Sequence, residues 1–269
     1  LKPVPDGPPP APVVQRLRVR YAKRGRMRFT SHRDISRAVE RAVRRAGIPV
    51  AYSAGFTPHP KISYAGAAPT GVASEAEYLE INVTRRCDPQ RVREALDASL
   101  PAGIDVLDVV EAREGNLADR LEASEWEIRL PGADPAAARE AAERFLAADR
   151  VEVERLTKKG PRRFDARGAV RTLTVAEGTG EIAGQGIARP CAILRMVVRH
   201  LVPAVRPDDV LTGLRLVAGF APPSPPEVTR LAQGPLDAVT GGPADPLDPD
   251  RDPRGGEPET AGQRVGGDL

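Results

Sequence analysis

The chain of 269 residues is poor in aromatic residues and lacks any long apolar run. Phe, Trp and Tyr make up 4% of it, and no RNP-type aromatic pair is visible, which disfavours a base-stacking platform of the kind that an RRM uses. No stretch approaches the roughly 18 apolar residues that a membrane-spanning helix needs, and the proline-rich start lacks the apolar core of a signal peptide. We therefore expect a cytoplasmic protein that does not contact a membrane.

Cysteine is also scarce, which bears on redox and metal chemistry. Cys87 and Cys191 are far apart in sequence, and there is no CxxC motif. Zinc and iron–sulfur centres need more closely spaced cysteines, so reduced buried thiols are the expected state of both. We predict no cofactor and no bound metal.

Positive charge is concentrated near the start of the chain, although the net charge of the whole chain is only +3. Residues 16–61 contain thirteen Lys and Arg residues and two acids, whereas residues 227–269 contain nine acids and four bases. Such segregation indicates a polyanionic partner such as RNA. The acidic tail is interpreted as a solvated linker in preference to a regulatory arm that competes for the basic surface.

One pattern of strands and helices occurs twice. The first round has a strand from Leu17, a helix from Ser31, strands at 51–56 and 77–83, a helix from Asp88 and a strand at 104–110. We predict an α+β protein of two tandem ferredoxin-like (β-α-β-β-α-β) units, at residues 15–115 and 116–221. Residues 1–14 and the acidic Pro/Gly-rich residues 222–269 are predicted to be disordered.

Arginines of the first strand and first helix are the main candidates for binding an anion. On the strand they alternate with apolar residues, and on the helix they lie three or four residues apart, so each set shares one face. Arginine forks bind phosphate oxygens bidentately, so a row of them would follow a nucleic-acid backbone. A loop tip and a second basic cluster are predicted to extend this surface. The predicted nucleic-acid-binding residues are Arg16, Arg18, Arg20, Arg33, Arg37, Arg41, Arg44, His59, Lys61, Lys158, Lys159, Arg162, Arg163 and Arg167.

Two histidines offer an alternative function. His32 lies at the first turn of the helix, and His59 lies between Pro58 and Pro60, which restrict the backbone on both sides. A pair of imidazoles near neutral pKa can act as general acid and base in RNA cleavage. The chain could therefore be a metal-free RNA-processing enzyme, and a second alternative is a protein-interaction module that docks an acidic partner.

Several motifs resemble the radical-SAM-linked protein family, a domain of unknown function (DUF2344). They are FTSHRD at 29–34, AYSAGFTPHPKIS at 51–63, PTGV at 69–72 and EY at 77–78. The resemblance covers residues 17–110, and the basic cluster at 158–167 is similar to the family's second signature. It implies a stand-alone neighbour of, or carboxy-terminal fusion to, a radical SAM enzyme with a cobalamin-binding region, and it carries no activity or catalytic residues.

This chain lacks the cluster-binding cysteines of the fused form. The resemblance therefore implies an accessory role beside a radical SAM enzyme on a separate chain. Together with the basic surface, it leads us to expect a non-catalytic subunit that binds RNA and presents it to that enzyme.

Overall fold

The computed structural model describes residues 10–157, 160–181 and 188–251, and these residues form one large sheet with four α-helices. The predicted α+β class is confirmed. None of the helices in the described ranges is both long and apolar enough to cross a membrane.

Within the described ranges, ten strands and four α-helices follow one another. The strands are β1 Gln15–Lys23, β2 Ile62–Ala65, β3 Ala73–Val83, β4 Ile104–Glu111, β5 Ala123–Pro131, β6 Glu152–Thr157, β7 Gly160–Asp165, β8 Val170–Glu181, β9 Ala188–Arg199 and β10 Glu227–Gly234. The helices are α1 His32–Arg45, α2 Pro89–Asp97, α3 Pro135–Ala147 and α4 Pro207–Ala218.

The strands of the main sheet lie in the order β4-β1-β3-β10-β5-β9-β8, and β2 also pairs with β3. Neighbouring strands are antiparallel except β3 and β10, which are parallel and meet at Ala73 and Ser74. The strands β6 and β7 form a separate hairpin. Strand β10 therefore joins the two halves of the sheet, and we call its contact with β3 the seam.

Side-chain caps explain where the helices begin. The Ser31 hydroxyl accepts a hydrogen bond from the Asp34 backbone N–H at 3.2 Å before α1. Asp88 and Asp134 cap α2 and α3 in the same way, and each is followed by a proline at the first helical position. Such a proline loses nothing, because its missing N–H would have no partner in the helix.

One face of each half of the sheet packs against two helices. Leu17 and Val19 of β1 belong to the first core together with Ile35 and Val39 of α1. The second core lies under α3 and α4 around Phe145, which is fully buried. Complete burial of such a side chain contributes about 1.5–3 kcal/mol.

The other face of the first half is covered by two chain segments that contain no strand or α-helix, only one short 3-10 turn each. Leu117, Leu121 and Leu247 pack there against Tyr78 and Val110. The three leucines belong to the segments 112–122 and 235–251, whereas Tyr78 and Val110 belong to the sheet. The first half of the sheet is therefore covered on both faces.

The prediction of disorder is wrong for residues 222–251. Residues 227–234 form β10, and Leu247 is fully buried. The composition was misleading because proline and glycine mark the turns between ordered pieces here. The remainder of the two predicted disordered segments, residues 1–9 and 252–269, lies outside the described residues. The strand expected at 51–56 is also wrong, because only isolated bridges form at Val50 and Tyr52, and the continuous strand begins at Ile62.

Candidate nucleic-acid interface

The arginines of α1 lie on the face of the helix that points away from the sheet. Arg33, Arg37, Arg41 and Arg44 are all exposed, whereas Ile35 and the other apolar residues of α1 face the core. We call these four residues the α1 arginine row. Their spacing of three or four residues aligns them along the helix axis, so they form one continuous basic surface.

Acidic residues of the same helix neutralise this row only weakly. Arg37 Nη1 lies 3.5 Å from Asp34 Oδ1, and Arg44 Nη2 lies 4.0 Å from Glu40 Oε2. The two arginine side chains remain 55% and 63% exposed. Ion pairs this exposed contribute about 0–1 kcal/mol, so the guanidinium groups can exchange them for an external anion at little cost.

Sequence reasoning missed a basic extension of the row at the end of α1. A shallow cleft of about 460 Å³ lies between Gly47 and the start of α2, and Arg85, Arg86 and Arg91 line it. All three arginines are exposed. Arg85 and Arg86 lie in the loop after β3 and Arg91 lies in the first turns of α2. Their positions were readable in the sequence, but only the fold brings them to this end of α1.

The strand arginines lie on the opposite face of the sheet, and Arg18 is fully buried there. Its Nε donates to Glu80 Oε1 at 2.9 Å, and its Nη1 donates to Asp250 Oδ2 at 2.7 Å. Burial alone would lower the pKa of Arg18. Its hydrogen bonds with the two carboxylates have the larger combined effect, so the net pKa is raised. Arg18 therefore cannot contact an external phosphate, and its assignment to the anion site is wrong.

The guanidinium groups of Arg16 and Arg20 also bind groups of the protein itself. Arg16 donates to the carbonyl oxygens of Arg113 at 3.1 Å and Gly115 at 3.5 Å. Arg20 donates to the carbonyl of Glu75 at 3.0 Å and lies 3.8 Å from Asp245. The alternating pattern correctly predicted that these arginines point away from the helices. It could not predict that segments 112–122 and 235–251 cover the face to which they point. The prediction of a single continuous basic patch is wrong, because the arginines of β1 and those of α1 lie on opposite faces of the sheet.

The second basic cluster is only partly available. Arg167 donates to the carbonyl oxygens of Leu146 at 3.1 Å and Val170 at 3.0 Å, which gives it a structural role. Arg163 is exposed but pairs with Glu154 at 2.8 Å. Arg162 is exposed on β7. Lys158 and Lys159 lie outside the described residues.

The loop that carries His59 projects from the sheet in a fixed shape. The His59 backbone N–H donates to Ser53 Oγ at 3.0 Å, and the Ser53 N–H donates to the His59 carbonyl at 2.8 Å. These two bonds close the loop at its base. His59 and Lys61 are both exposed.

His32 contacts an aromatic ring beneath it. Its ring meets Tyr64 of β2 edge-on with centroids 4.9 Å apart. Burial raises the pKa of Tyr64 to about 12, so the phenol stays protonated. Among the described residues no hydrogen bond joins the rings of His32 and His59, so the structure gives no positive sign of an acid–base pair.

A buried polar cluster at the seam was not expected from the sequence. Arg230 of β10 pairs with Glu77 of β3 and donates to Ser74 Oγ at 3.3 Å and to Gln233 Oε1 at 3.3 Å. Arg230 and Glu77 are 3% and 2% exposed. The signal was hidden because Arg230 lies in the segment that its composition assigned to the disordered tail.

The same cluster fixes the loop between β2 and β3. Glu77 accepts a hydrogen bond from the Ala68 N–H at 3.2 Å, and Lys23 Nζ donates to the carbonyl oxygens of Ala68 at 3.3 Å and Pro69 at 3.1 Å. Burial lowers the pKa of Lys23. Gln233 adds a hydrogen bond to the Gly66 carbonyl at 3.2 Å. The loop is thus held by side chains from both halves of the sheet.

His200 has a structural role beside this cluster. Its Nδ1 lies 2.7 Å from the Leu121 carbonyl, and its Nε2 lies 2.7 Å from Ser124 Oγ. Because a carbonyl only accepts hydrogen bonds, Nδ1 carries the proton and Nε2 accepts from the hydroxyl. Burial lowers the pKa of His200, which favours this neutral form.

The described residues contain no group of three or more His, Cys, Asp and Glu side chains placed to hold a metal ion. Cys87 and Cys191 are both free thiols.

Comparison with solved structures gives only weak likenesses. The chain is 13% identical to an unknown protein from Galdieria sulphuraria, with a TM-score of 0.23, 80% of this chain covered and 96% of that one. It is 12% identical to the encapsulated DyP-type peroxidase from Mycobacterium smegmatis, with a TM-score of 0.21, 83% of this chain covered and 92% of that one. These scores are too low to support any argument about fold or function.

The comparison with curated proteins gave no match. A family model does match, over residues 16–207, and this range contains the α1 arginine row, the loop of His59 and the loop between β2 and β3. Because the match spans well over half of the chain, the protein belongs to the family described as an uncharacterized protein conserved in bacteria (DUF2344).

Proposed function

We propose that this chain is a non-catalytic subunit that binds the phosphate backbone of RNA on the outer face of α1. The observation that carries the proposal is the α1 arginine row, whose members are exposed and only weakly paired. The proposed site is smaller than the one expected from the sequence. It comprises Arg33, Arg37, Arg41 and Arg44, with the exposed His59 and Lys61 and the arginines at 85, 86 and 91 as its extension.

Phosphate contacts make a quantitative prediction. Each contact to a single strand contributes about −0.7 to the slope of log K against log salt. Four arginines in contact would therefore give a slope of about −3. Such contacts position a nucleic acid without reading its sequence, so we expect little preference among RNA sequences.

A matched pair of double variants tests the site. Arg37→Ala/Arg41→Ala removes two members of the row, and Arg139→Ala/Arg144→Ala removes two exposed arginines from α3, the first helix of the second half. Arg139 and Arg144 each lie near one acid, as Arg37 does. Each double variant removes two positive charges from an exposed helix surface. Binding to RNA is measured by fluorescence anisotropy between about 50 and 200 mM salt, the range over which phosphate-dependent affinity changes steeply.

We expect the α1 double variant to bind RNA more weakly and to reduce the magnitude of the salt slope by about 1.4, the sum for two lost contacts. The α3 double variant should bind like wild type. Equal losses in both variants would contradict a specific site on α1. Salt-dependent capture of an acidic protein, with no affinity for RNA, would support the interaction-module alternative instead.

The enzymatic alternative has its own test. RNA incubated with a His32→Ala/His59→Ala variant should stay as intact as RNA incubated with wild type, because the proposed subunit does no chemistry. Cleavage of RNA by purified wild-type protein that this variant abolishes would contradict the non-catalytic role.

We propose a radical SAM enzyme on a separate chain as the partner, on the strength of the motif resemblance and membership of the family. Co-purification followed by identification of bound polypeptides tests this. We also propose a cytoplasmic location. RNA is present there, and the reducing conditions would keep Cys87 and Cys191 as free thiols.

We infer further that the two halves of the chain are ferredoxin-like units. In the first half the strands β1 to β4 alternate with α1 and α2 as β-α-β-β-α-β and lie in the order β4-β1-β3-β2. In the second half β5, β8, β9 and β10 lie in the corresponding order β10-β5-β9-β8. On this reading the hairpin β6–β7 is an insertion, and the second unit extends past residue 221 to include β10.

A further inference from the structure

Three exposed aromatic residues lie in the two segments that flank the arginine row. Phe29 and Phe56 are 61% and 70% exposed, and Tyr52 is 36% exposed. The other phenylalanines of the chain are buried, namely Phe145, Phe164 and Phe220. A phenylalanine left exposed forgoes the stabilisation that burial brings, and both exposed phenylalanines flank the arginine row, which indicates a surface that contacts a partner.

Phe29 lies at the beginning of α1. It ends a single 3-10 turn, 25–29, and α1 starts at His32. The Gly71 N–H donates to the Arg28 carbonyl at 2.7 Å, which fixes this turn beside the residues that lead into β3. Phe29 is therefore at the end of the sheet where β3 begins.

Phe56 lies at the other end. The Ala51 N–H donates to the Asn82 carbonyl at 2.7 Å, and the Asn82 N–H donates to the Lys61 carbonyl at 3.1 Å, so the loop 52–60 leaves the sheet where β3 ends. The chain that follows α1 reaches the same end, because Val50 pairs with Val83. Phe29 and Phe56 thus bracket α1, whose 14 residues span about 21 Å.

The Phe29 ring and the backbone of the loop that carries Phe56 are both held before any ligand arrives. The Arg28 guanidinium lies over the Phe29 ring, 4.7 Å from its centroid. Phe56 sits in the loop that the two bonds between Ser53 and His59 close. A ring or a loop backbone that is already held loses little conformational entropy on binding, which favours affinity.

We propose that the ligand of this surface is single-stranded RNA, with unpaired bases stacked on Phe29 and Phe56 and the intervening phosphates on the α1 arginine row. The inference rests on the proposed RNA-binding function and names its substrate class. Aromatic faces stack on bases of any sequence, but the bases of a duplex are already stacked and paired. The sheet itself cannot serve as the platform in the first half, because both of its faces are covered.

The test compares single-stranded and duplex RNA on the full-length protein. Anisotropy titrations use one RNA of about 12 nucleotides, within the 4–16 that single-strand modules cover, alone and annealed to its complement. The variants are Phe29→Ala and Phe56→Ala, with Leu156→Ala as control because Leu156 is an equally simple apolar side chain, 83% exposed on β6. Phe56→Trp keeps an aromatic face and serves as the rescue.

Each Phe→Ala variant should weaken single-strand binding about 5-fold or more, which is the lower end of the range measured for one base–aromatic stack. The salt slope should stay as in wild type, because no phosphate contact is lost. Phe56→Trp and Leu156→Ala should bind like wild type, and duplex affinity should not change in any of the four variants.

Other outcomes overturn the inference in distinguishable ways. If the Phe→Ala variants bind like Leu156→Ala while Arg37→Ala/Arg41→Ala still weakens binding, the proposed function stands and the stacking inference fails. If the Phe→Ala variants weaken duplex and single-strand binding equally, the choice of single-stranded RNA is wrong. If wild-type protein binds neither RNA, both proposals fail.

Discussion

The carboxylate of Asp250 should be one of the largest single contributors to the stability of the protein. It accepts hydrogen bonds from Arg18 Nη1 at 2.7 Å, from Arg120 Nη1 at 2.6 Å and from the Arg113 N–H at 2.8 Å, and its side chain is completely buried. Asp250→Asn keeps the size of the side chain but removes the charge and turns one acceptor into a donor. The Arg18 side chain is fully buried, and Glu80 would then be its one carboxylate partner among the described residues.

Removal of one partner of a buried ion pair costs about 3–5 kcal/mol, because the other charge stays buried without compensation. We expect Asp250→Asn to lower the free energy of unfolding by an amount in this range. Equilibrium unfolding in urea, followed by circular dichroism, measures it. At an m-value of about 3 kcal/mol/M the midpoint should fall by roughly 1 M or more.

Asp248→Asn is the matched control. Asp248 lies two residues earlier in the same segment, but its side chain is 65% exposed, and its ion-pair partner among the described residues is the part-exposed Arg251. Loss of such a pair costs about 0–1 kcal/mol. If Asp250→Asn costs less than about 1 kcal/mol, or no more than Asp248→Asn, the assignment of Asp250 as the charge that stabilises the covered face is refuted.

Asp250, Gly66 and His200 each provide one further prediction. Burial raises the pKa of Asp250, but its hydrogen bonds lower it more, so its contribution is full above about pH 4 and is lost as the pH falls through the lower folded pKa; the stability difference between wild type and Asp250→Asn should shrink when urea unfolding is repeated at pH 3. Gly66→Ala should cost at least about 1 kcal/mol more than Gly47→Ala by the same assay, because both glycines have φ near +60° but only at Gly66 would a Cβ meet an obstacle, Gln233 Oε1 at 2.5 Å. Burial lowers the pKa of His200, so the unfolded chain binds the proton more readily and the melting temperature should fall as the pH drops below about 6.5; His200→Gln should flatten that part of the profile, and an unchanged profile would contradict it.

Local signals predicted much of the first half of the fold. Alternation in 16–21 identified β1 and the face its arginines share, and Ser31 and Asp88 marked the starts of α1 and α2, as the structure has them. These signals work because capping and alternation depend on residues within one turn or one strand. The α1 arginine row was predictable for the same reason.

The errors concern which segments cover each face of the sheet. Local sequence patterns carry no information about that. Alternation turns Arg18 away from the helices, but only the return of segment 235–251 buries it against Asp250. The same long-range return places β10 in the middle of the sheet. Composition assigned that segment to disorder because its prolines and glycines outweigh the short strand pattern in any average over the tail.

The pairing of Arg18 with Asp250 joins positions 232 residues apart, and this has a consequence for biosynthesis. At about 5–20 residues per second, a ribosome takes roughly ten to fifty seconds to deliver the carboxylate after the guanidinium has emerged. During that interval the nascent first half carries a charged sheet face and an apolar neighbourhood still open to water. A fragment cut at the family boundaries, 16–207, would stay in that immature state permanently, since it has neither Asp250 nor β10. Expression work on relatives should therefore retain the chain through the position equivalent to Asp250.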